Sequence, residues 1–306
     1  MNAHLARTVN LGNALEAPHE GDWGMIIRKE YIDSIAAAGF TAVRIPIKWS
    51  AHADKVPPYT VDPAFFTRID EVVGWCLDAG LNAIIDFHHY DELTSDPESH
   101  KERWLAIWRQ ISQHFSNAPD SIFFELLNEP HDALTADLWN RYLAEAIDLI
   151  RKDNPTRILI AGPVQWNAFD KLNTLVLPQD TLLIATFHYY LPFHFTHQGA
   201  EWVDGSNAWM GTTWTATDEE KQNLEDDFET AASWGQTYNR PLFLGEFGAY
   251  SKADSLSRIL WTTFVRETAE SKGISWAYWE FGAGFGIYDR GTNSWRDGLL
   301  NALIPH

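Results

Sequence analysis

A chain of 306 residues, 45% hydrophobic and 21% charged, carries enough apolar material for a large core and too little polar excess for disorder. Its 42 acidic against 23 basic residues leave a formal charge of -19, which repels phosphate backbones and anionic lipid and argues against nucleic-acid and membrane partners. The single cysteine, Cys76, excludes an internal disulfide and reads as a small buried side chain on a helix.

No apolar run occupies Met1 to Thr8, so no signal peptide is visible, and no stretch is long enough to span a membrane. The compartment stays open: either the protein remains in the cell or a signal has been removed. No Pro/Ser-rich linker, repeat or low-complexity tract divides the chain, so one domain over residues 1–306 is expected, and no obligate protein partner is implied.

The elements follow in chain order. Val9 to Leu11 is a weak first strand, and Ala42 to Ile47 a clear second. Phe65, Ile69, Val72, Val73, Cys76 and Leu77 fall at helical spacing, with Gly80 as the stop. A third strand runs from Ala83 to Phe87. The helical stripe of Trp104, Ile107, Trp108, Ile111 and Phe115 follows, then a fourth strand from Ile122 to Leu127. Leu138, Tyr142, Leu143, Ala146 and Ile150 make the next helix, with Pro155 beyond it. Strands are expected at Ile158 to Ala161, Leu182 to Phe187, Leu242 to Gly245 and Ile274 to Trp279. A helical stripe through Leu256, Ile259, Leu260 and Phe264 precedes the last of them.

Strand and helix alternating to the end imply an α/β fold with a parallel sheet, and the near-continuous apolar strands imply burial of both sheet faces. A Gly-x-Gly-x-x-Gly turn after the first strand is missing, and polar residues stand at many strand ends. A single (β/α)8 TIM barrel is therefore expected rather than an open doubly wound sheet.

In such a barrel the reactive groups gather where strands run into the following loops. Reading the strand ends gives Asn13 after strand one, Arg44 in strand two and His88–His89 after strand three. Asn128–Glu129 end strand four, His188 and Tyr190 follow strand six, Glu246 ends strand seven, and Trp279 with Glu280 ends strand eight. Strands four and seven face each other across eight strands, so Glu129 and Glu246 can flank one bond, one of them giving a proton and the other attacking. A Glu at a strand end is as readily a solvated loop residue. Two of them, each directly after an apolar strand, favour chemistry.

The chain resembles glycoside hydrolase family 5, the cellulase family, over essentially its whole length. The resemblance rests on Arg44-Ile45-Pro46, Phe87-His88-His89-Tyr90, Asn128-Glu129-Pro130, His188-Tyr189-Tyr190, Gly245-Glu246-Phe247-Gly248 and Trp279-Glu280-Phe281, in that order. Further stretches at 10–16, 20–24 and 196–202 are similar to a bacterial endoglucanase branch with some mannan activity. The resemblance implies a retaining endo-β-1,4-glucanase, with a poly- or oligosaccharide as its partner. It implies Glu129 as general acid/base, Glu246 as nucleophile, Arg44 and Tyr190 holding the nucleophile, and Asn128 on the sugar 2-hydroxyl. His88, His89 and His188 would bond sugar or the acids, and Trp279 would floor the reacting ring. Asn13, Glu16, His197 and Trp202 complete the expected contacts. Trp209 and Trp214 share the long loop Leu191–Thr217 with Trp202; Trp23 and Trp166 are weaker candidates.

Three rival readings are open at this point. A metal-dependent hydrolase is disfavoured. No His-Glu-x-x-His or Cys set occurs, and adjacent His88 and His89 are expected not to point both into the barrel. No metal or cofactor is expected. A non-catalytic carbohydrate-binding barrel would have no need of both acids. A mannanase or bifunctional enzyme would keep the chemistry and change the sugar.

Overall fold

A computed structural model describes residues 2–305. Eight parallel strands close into a barrel in the order β1 to β8. They are β1 (Arg7–Asn10), β2 (Ala42–Ile47), β3 (Asn82–Phe87), β4 (Ile122–Glu125), β5 (Leu159–Ala161), β6 (Leu183–Tyr189), β7 (Leu242–Phe247) and β8 (Ser275–Tyr278). The expected (β/α)8 architecture is present. The weak first strand is real, because Thr8 and Val9 pair with β2 on one side and β8 on the other.

The helices form for local reasons. Pro63–Asp78 has Pro at its first turn, Asp62 as N-cap, and Gly80 beyond its end at φ +76°. Asp218–Tyr238 opens on a capping box made by Thr217 and Glu220, and Ser255–Ser271 opens on the N-cap Asp254. The fifth unit departs from the pattern. In place of a long helix, β5 is followed by the short turn Val164–Asn167 and the 3-10 helix Phe169–Thr174. No helix among the described residues is long and apolar enough to cross a membrane.

Strand alternation divides the core in two. Outward residues such as Val43, Ile45, Ile85, Phe87, Phe124 and Leu244 join the helices in one large cluster, where Cys76 is also buried. Inward residues fill the barrel in layers. Its apolar floor is Leu5, Ala42, Ile84, Phe123, Ile160, Ile184, Phe243 and Ala277. Two residues further along three of those strands stand Arg44, Asp86 and Glu125, all fully buried, so an ionic layer rests on the floor. Each fully buried aliphatic of the floor contributes roughly 1.5–3 kcal/mol. That offsets part of the cost of holding charge directly above it.

Helix tryptophans pin the strand ends. Trp108 Nε1 donates to the carbonyl of Leu126 at 3.0 Å, and Trp139 Nε1 to that of Gly162 at 2.9 Å. Those carbonyls belong to the first residues of the loops that leave β4 and β5.

Candidate active site

The site is built upward from the ionic layer. Arg44 Nε and Nη2 donate to the two oxygens of Glu125 at 2.6 and 2.9 Å, and Nη2 lies 3.0 Å from Asp86. Nη1 donates to Glu246 Oε1 at 2.8 Å and to Asn10 Oδ1 at 2.9 Å, while Nη2 also donates to Asn128 Oδ1 at 2.8 Å. One guanidinium thus faces three buried carboxyls. Burial raises Asp86 to about 7, against the pull of Arg44, and raises Glu125 in the same direction. His88 Nδ1 sits 2.5 Å from Asp86 Oδ2, and burial holds its pKa well below the usual range, so the ring is neutral.

Glu246 reaches this layer through an irregularity. Phe187 pairs with Leu244 but His188 pairs with Glu246, which leaves Gly245 as the extra residue of a bulge. Regular alternation would send Gly245 inward and Glu246 outward; the bulge sends both inward. Only glycine fits there, because a Cβ at 245 would stand 2.6 Å from Thr186 Oγ1 and 3.0 Å from His188 Nε2. The Gly245 carbonyl is held by Asn10 Nδ2 at 3.1 Å.

Glu129 arrives differently. β4 ends at Glu125, not at Asn128–Glu129, and Glu129 lies in the following loop at φ 48°. Its Oε1 is 2.7 Å from His188 Nδ1, and its side chain is one quarter exposed. Burial raises it to about 7. Burial also raises Glu246, to about 6, with Arg44 and the Tyr190 hydroxyl (2.9 Å to Oε2) pulling it back. One oxygen of each acid and Nδ1 of His188 fit within 4.8 Å of one another. A protonated carboxyl opposite an ionised one, at that separation, can give a proton to one side of a bond while attacking the other.

A cleft of about 620 Å³ opens above them. Of the residues expected from the sequence, Asn13, Glu16, His88, His89, Glu129, Tyr190, His197, Trp202, Glu246 and Trp279 line it. Arg44, Asn128 and His188 lie beneath, as supports. His188 belongs to β6 rather than following it. His88 and His89 both face the cleft, contrary to expectation, because β3 has ended at Phe87 and His89 turns at φ 49°. Trp279 lies parallel to His88 (ring centroids 5.7 Å apart, 8° between planes), over Gly12, where a Cβ would touch its ring at 2.9 Å.

The long loop after β6 splits its tryptophans. Trp202 is 60% exposed and lines the cleft against Tyr250 and Phe285. Trp214 is buried, and its backbone N–H is bound by Ser257, so it anchors the loop; Trp209 stacks on His194. Trp23 also lines the cleft, whereas Trp166 is exposed and stacks on His131. Sequence reasoning missed Asn10, Glu125, Tyr250 and Phe285. The first two were detectable as polar residues at inward positions of apolar strands. The last two lie in loops without periodic signal.

Glu16 is buried and receives the backbone N–H groups of Asn13 and Ala14. Burial raises it to about 8. Glu280 is raised to about 7 by burial and accepts the backbone N–H groups of Gly282, Ala283 and Phe285, so it holds a loop rather than facing the cleft. A second cavity, of about 600 Å³, lies at the opposite end of the strands, and Asp180 is its only carboxylate. Among the described residues, Glu129, His188 and Glu246 are the group close enough to share an ion. Each already has a protein hydrogen-bond partner, and Arg44 already supplies positive charge beside Glu246.

A parallel barrel with two opposed acids at the loop end of β4 and β7, above a buried arginine, defines a glycoside-hydrolase type of site. Residues 7–284 match the cellulase family, glycosyl hydrolase family 5, and the chain belongs to it. It is 38% identical to Endoglucanase H of Acetivibrio thermocellus over 96% of this chain and 32% of that protein. It also matches Cellulase/esterase CelE of the same organism, at 29% identity over 37% of that protein; the chain thus spans about a third of the length of each of these relatives. Among solved structures, Cel5A of Thermotoga maritima, in complex with mannotriose and in complex with cellobiose, superposes with a TM-score of 0.97 and 48% identity. The overlap covers 99% of this chain and 98% of that one. The clostridial cellulose synthase subunit Z of Clostridioides difficile does so with a TM-score of 0.96 and 40% identity, over 98% and 99% of the two chains.

Proposed function

We propose that the protein is an endo-acting, retaining hydrolase of β-1,4-glucan, with Glu129 as general acid/base and Glu246 as nucleophile. The observation that carries this reading is the pair of acids with oxygens inside 4.8 Å, only one of them bonded to Arg44. That spacing suits retention, which uses carboxyls roughly 5–5.5 Å apart, rather than inversion, which needs room for a water.

In the first step a Glu246 oxygen bonds to the anomeric carbon as the glycosidic C–O bond breaks, and the departing oxygen takes the proton of Glu129. In the second, Glu129, now a carboxylate, takes a proton from water, whose oxygen displaces Glu246 from the sugar. Arg44 and Tyr190 hold the nucleophile ionised and in line. Asn128, with Oδ1 taken by Arg44, has its amide N–H groups left for a sugar hydroxyl. Trp279 supplies an apolar floor, and Trp202 and Trp23 are platforms for sugars further along the chain. Neither step calls for a metal, and treatment with a chelator is expected to leave the rate unchanged.

Reducing-sugar release from soluble β-glucan, with a rapid fall in viscosity, tests the reading, and E246Q is the inactive control. Proton NMR of the first-formed anomer tests retention. A wild type that binds glucan without cleaving it would make the protein a binding module. Mannan is a second substrate class, motivated by the mannotriose complex of the T. maritima relative. Side-by-side rates on carboxymethylcellulose, barley glucan and glucomannan separate the two.

A further inference from the structure

His188 sits between the two acids, with Nδ1 2.7 Å from Glu129 Oε1 and 3.6 Å from Glu246 Oε2. Which nitrogen carries its proton decides what each carboxyl can do. The connection after β5 runs through three left-handed residues, Gln165, Trp166 and Asn167, at φ 59°, 59° and 54°. Ala168 then pairs with His188 as an isolated parallel bridge. This sharp turn carries Asn167 inward, fully buried, with its Nδ2 3.3 Å from His188 Nε2. Space for the amide is made by Gly162, where a Cβ would stand 2.2 Å from Asn167 Oδ1. Asparagine is among the few residues that adopt such a backbone readily.

We propose that Asn167 is a positioning residue that fixes the His188 proton on Nδ1, so that Glu129 Oε1 remains an acceptor and Oε2 carries the proton delivered to the leaving oxygen. With Nδ2 on Nε2 and Asn167 Oδ1 left without a partner beside Gly162, Nε2 must offer a lone pair, and in that orientation the neutral ring carries its proton on Nδ1, toward Glu129. That N–H occupies Glu129 Oε1. The acid proton is left on the other oxygen and passes from Oε2 to the glycosidic oxygen as the C–O bond breaks; the ring proton does not move. The groups facing His188 are Glu129 beyond β4, Glu125 in β4, Glu246 in β7, Arg44 in β2 and His88 beyond β3. Burial holds the imidazole down at about 4, so its tautomer rather than its charge varies near neutrality.

The inference rests on the proposed roles of Glu129 and Glu246, but its first test does not need activity. Long-range proton–nitrogen correlation of the histidine rings, with H188Q to assign the signals, is expected to show His188 with a protonated Nδ1 and a bare Nε2. A protonated Nε2 with a bare Nδ1 in the wild type overturns the proposal. N167D keeps the backbone preference and replaces the donor by an acceptor, which is expected to protonate Nε2. Turnover of cellooligosaccharides, whose leaving group needs the acid, should then fall about tenfold or more, within the range of general acid catalysis. The stopped-flow burst of dinitrophenolate from dinitrophenyl cellobioside, whose first step needs no proton, should change about twofold at most. Equal losses on both substrates would make Asn167 a structural residue only. Should the wild type cleave no glycan at all, the proposed function falls, and the ring measurement still decides the tautomer.

Discussion

Arg44 donates to Glu246 at 2.8 Å, whereas Glu129 has its side-chain hydrogen bond with His188. The cation therefore favours ionisation of one acid more directly than the other, and the two are raised to different heights, Glu246 to about 6 and Glu129 to about 7. The proposed roles need the first ionised and the second protonated. Activity should fall as pH drops through about 6 and again as it rises through about 7, giving a narrow bell in kcat/KM on soluble glucan. A rate that stays flat from pH 5 to pH 9 would refute this assignment of roles.

The two acids should be separable by substrate. E246Q is expected to lose at least about a thousandfold in kcat on every substrate, since no ester can form. E129A should lose about a hundredfold or more on oligosaccharides, where the leaving group needs a proton. On an activated aryl glycoside its first step should survive, with ester hydrolysis becoming rate-limiting. A burst of phenolate in stopped-flow is the signature to look for.

Removing Arg44 strands three carboxyls in the barrel. Deleting one partner of a buried ion pair typically costs about 3–5 kcal/mol, so R44A should fold poorly. R44K keeps the charge but cannot reach Glu125, Asn128, Asn10 and Glu246 together. Folding is expected, seen as a cooperative melt, with about a hundredfold or greater loss of kcat.

Glu16 is held at about 8 by burial, far above its value of 4.5 in an unfolded chain. Between those values the unfolded chain is ionised while the folded one keeps the proton, so stability is greatest below 4.5 and falls as pH rises through 8. Asp86, Glu129 and Glu280 act in the same direction. Glutamine at 16 removes one of these contributions. Calorimetry should show the wild type losing several degrees of Tm relative to E16Q between pH 5 and pH 9. A constant gap between the two would contradict it.

Trp202 presents its ring to the cleft against Tyr250 and Phe285. W202A should raise KM for cellohexaose about fivefold to tenfold, equivalent to about 1–1.4 kcal/mol, and leave kcat nearly unchanged. Trp214 gives the contrast. Buried under the loop, it should lower Tm on truncation rather than change KM selectively.

The strands were legible because both of their faces are apolar, and the site because polar residues interrupt that pattern at one end. Glu125 shows the limit. It follows Ile122, Phe123 and Phe124 at the parity that points inward, and within an apolar strand that parity is the one sequence signal that marks it. His88 and His89 face the cleft together because alternation ends where β3 stops, at Phe87. Trp202 and Trp214 lie twelve residues apart in one loop with opposite burial, and a loop has no period from which to read that difference.

A regular strand offers its interior every second residue. The single extra unit at Gly245 breaks that parity inside β7, so one strand contributes both a gap for its neighbours and, beside it, the carboxyl proposed as nucleophile. Deleting Gly245 would restore a regular ladder and put Glu246 in the inward slot that only glycine fits, its side chain crowded against Thr186 and His188 instead of set over the cleft. Turnover would vanish although no reactive side chain had been removed.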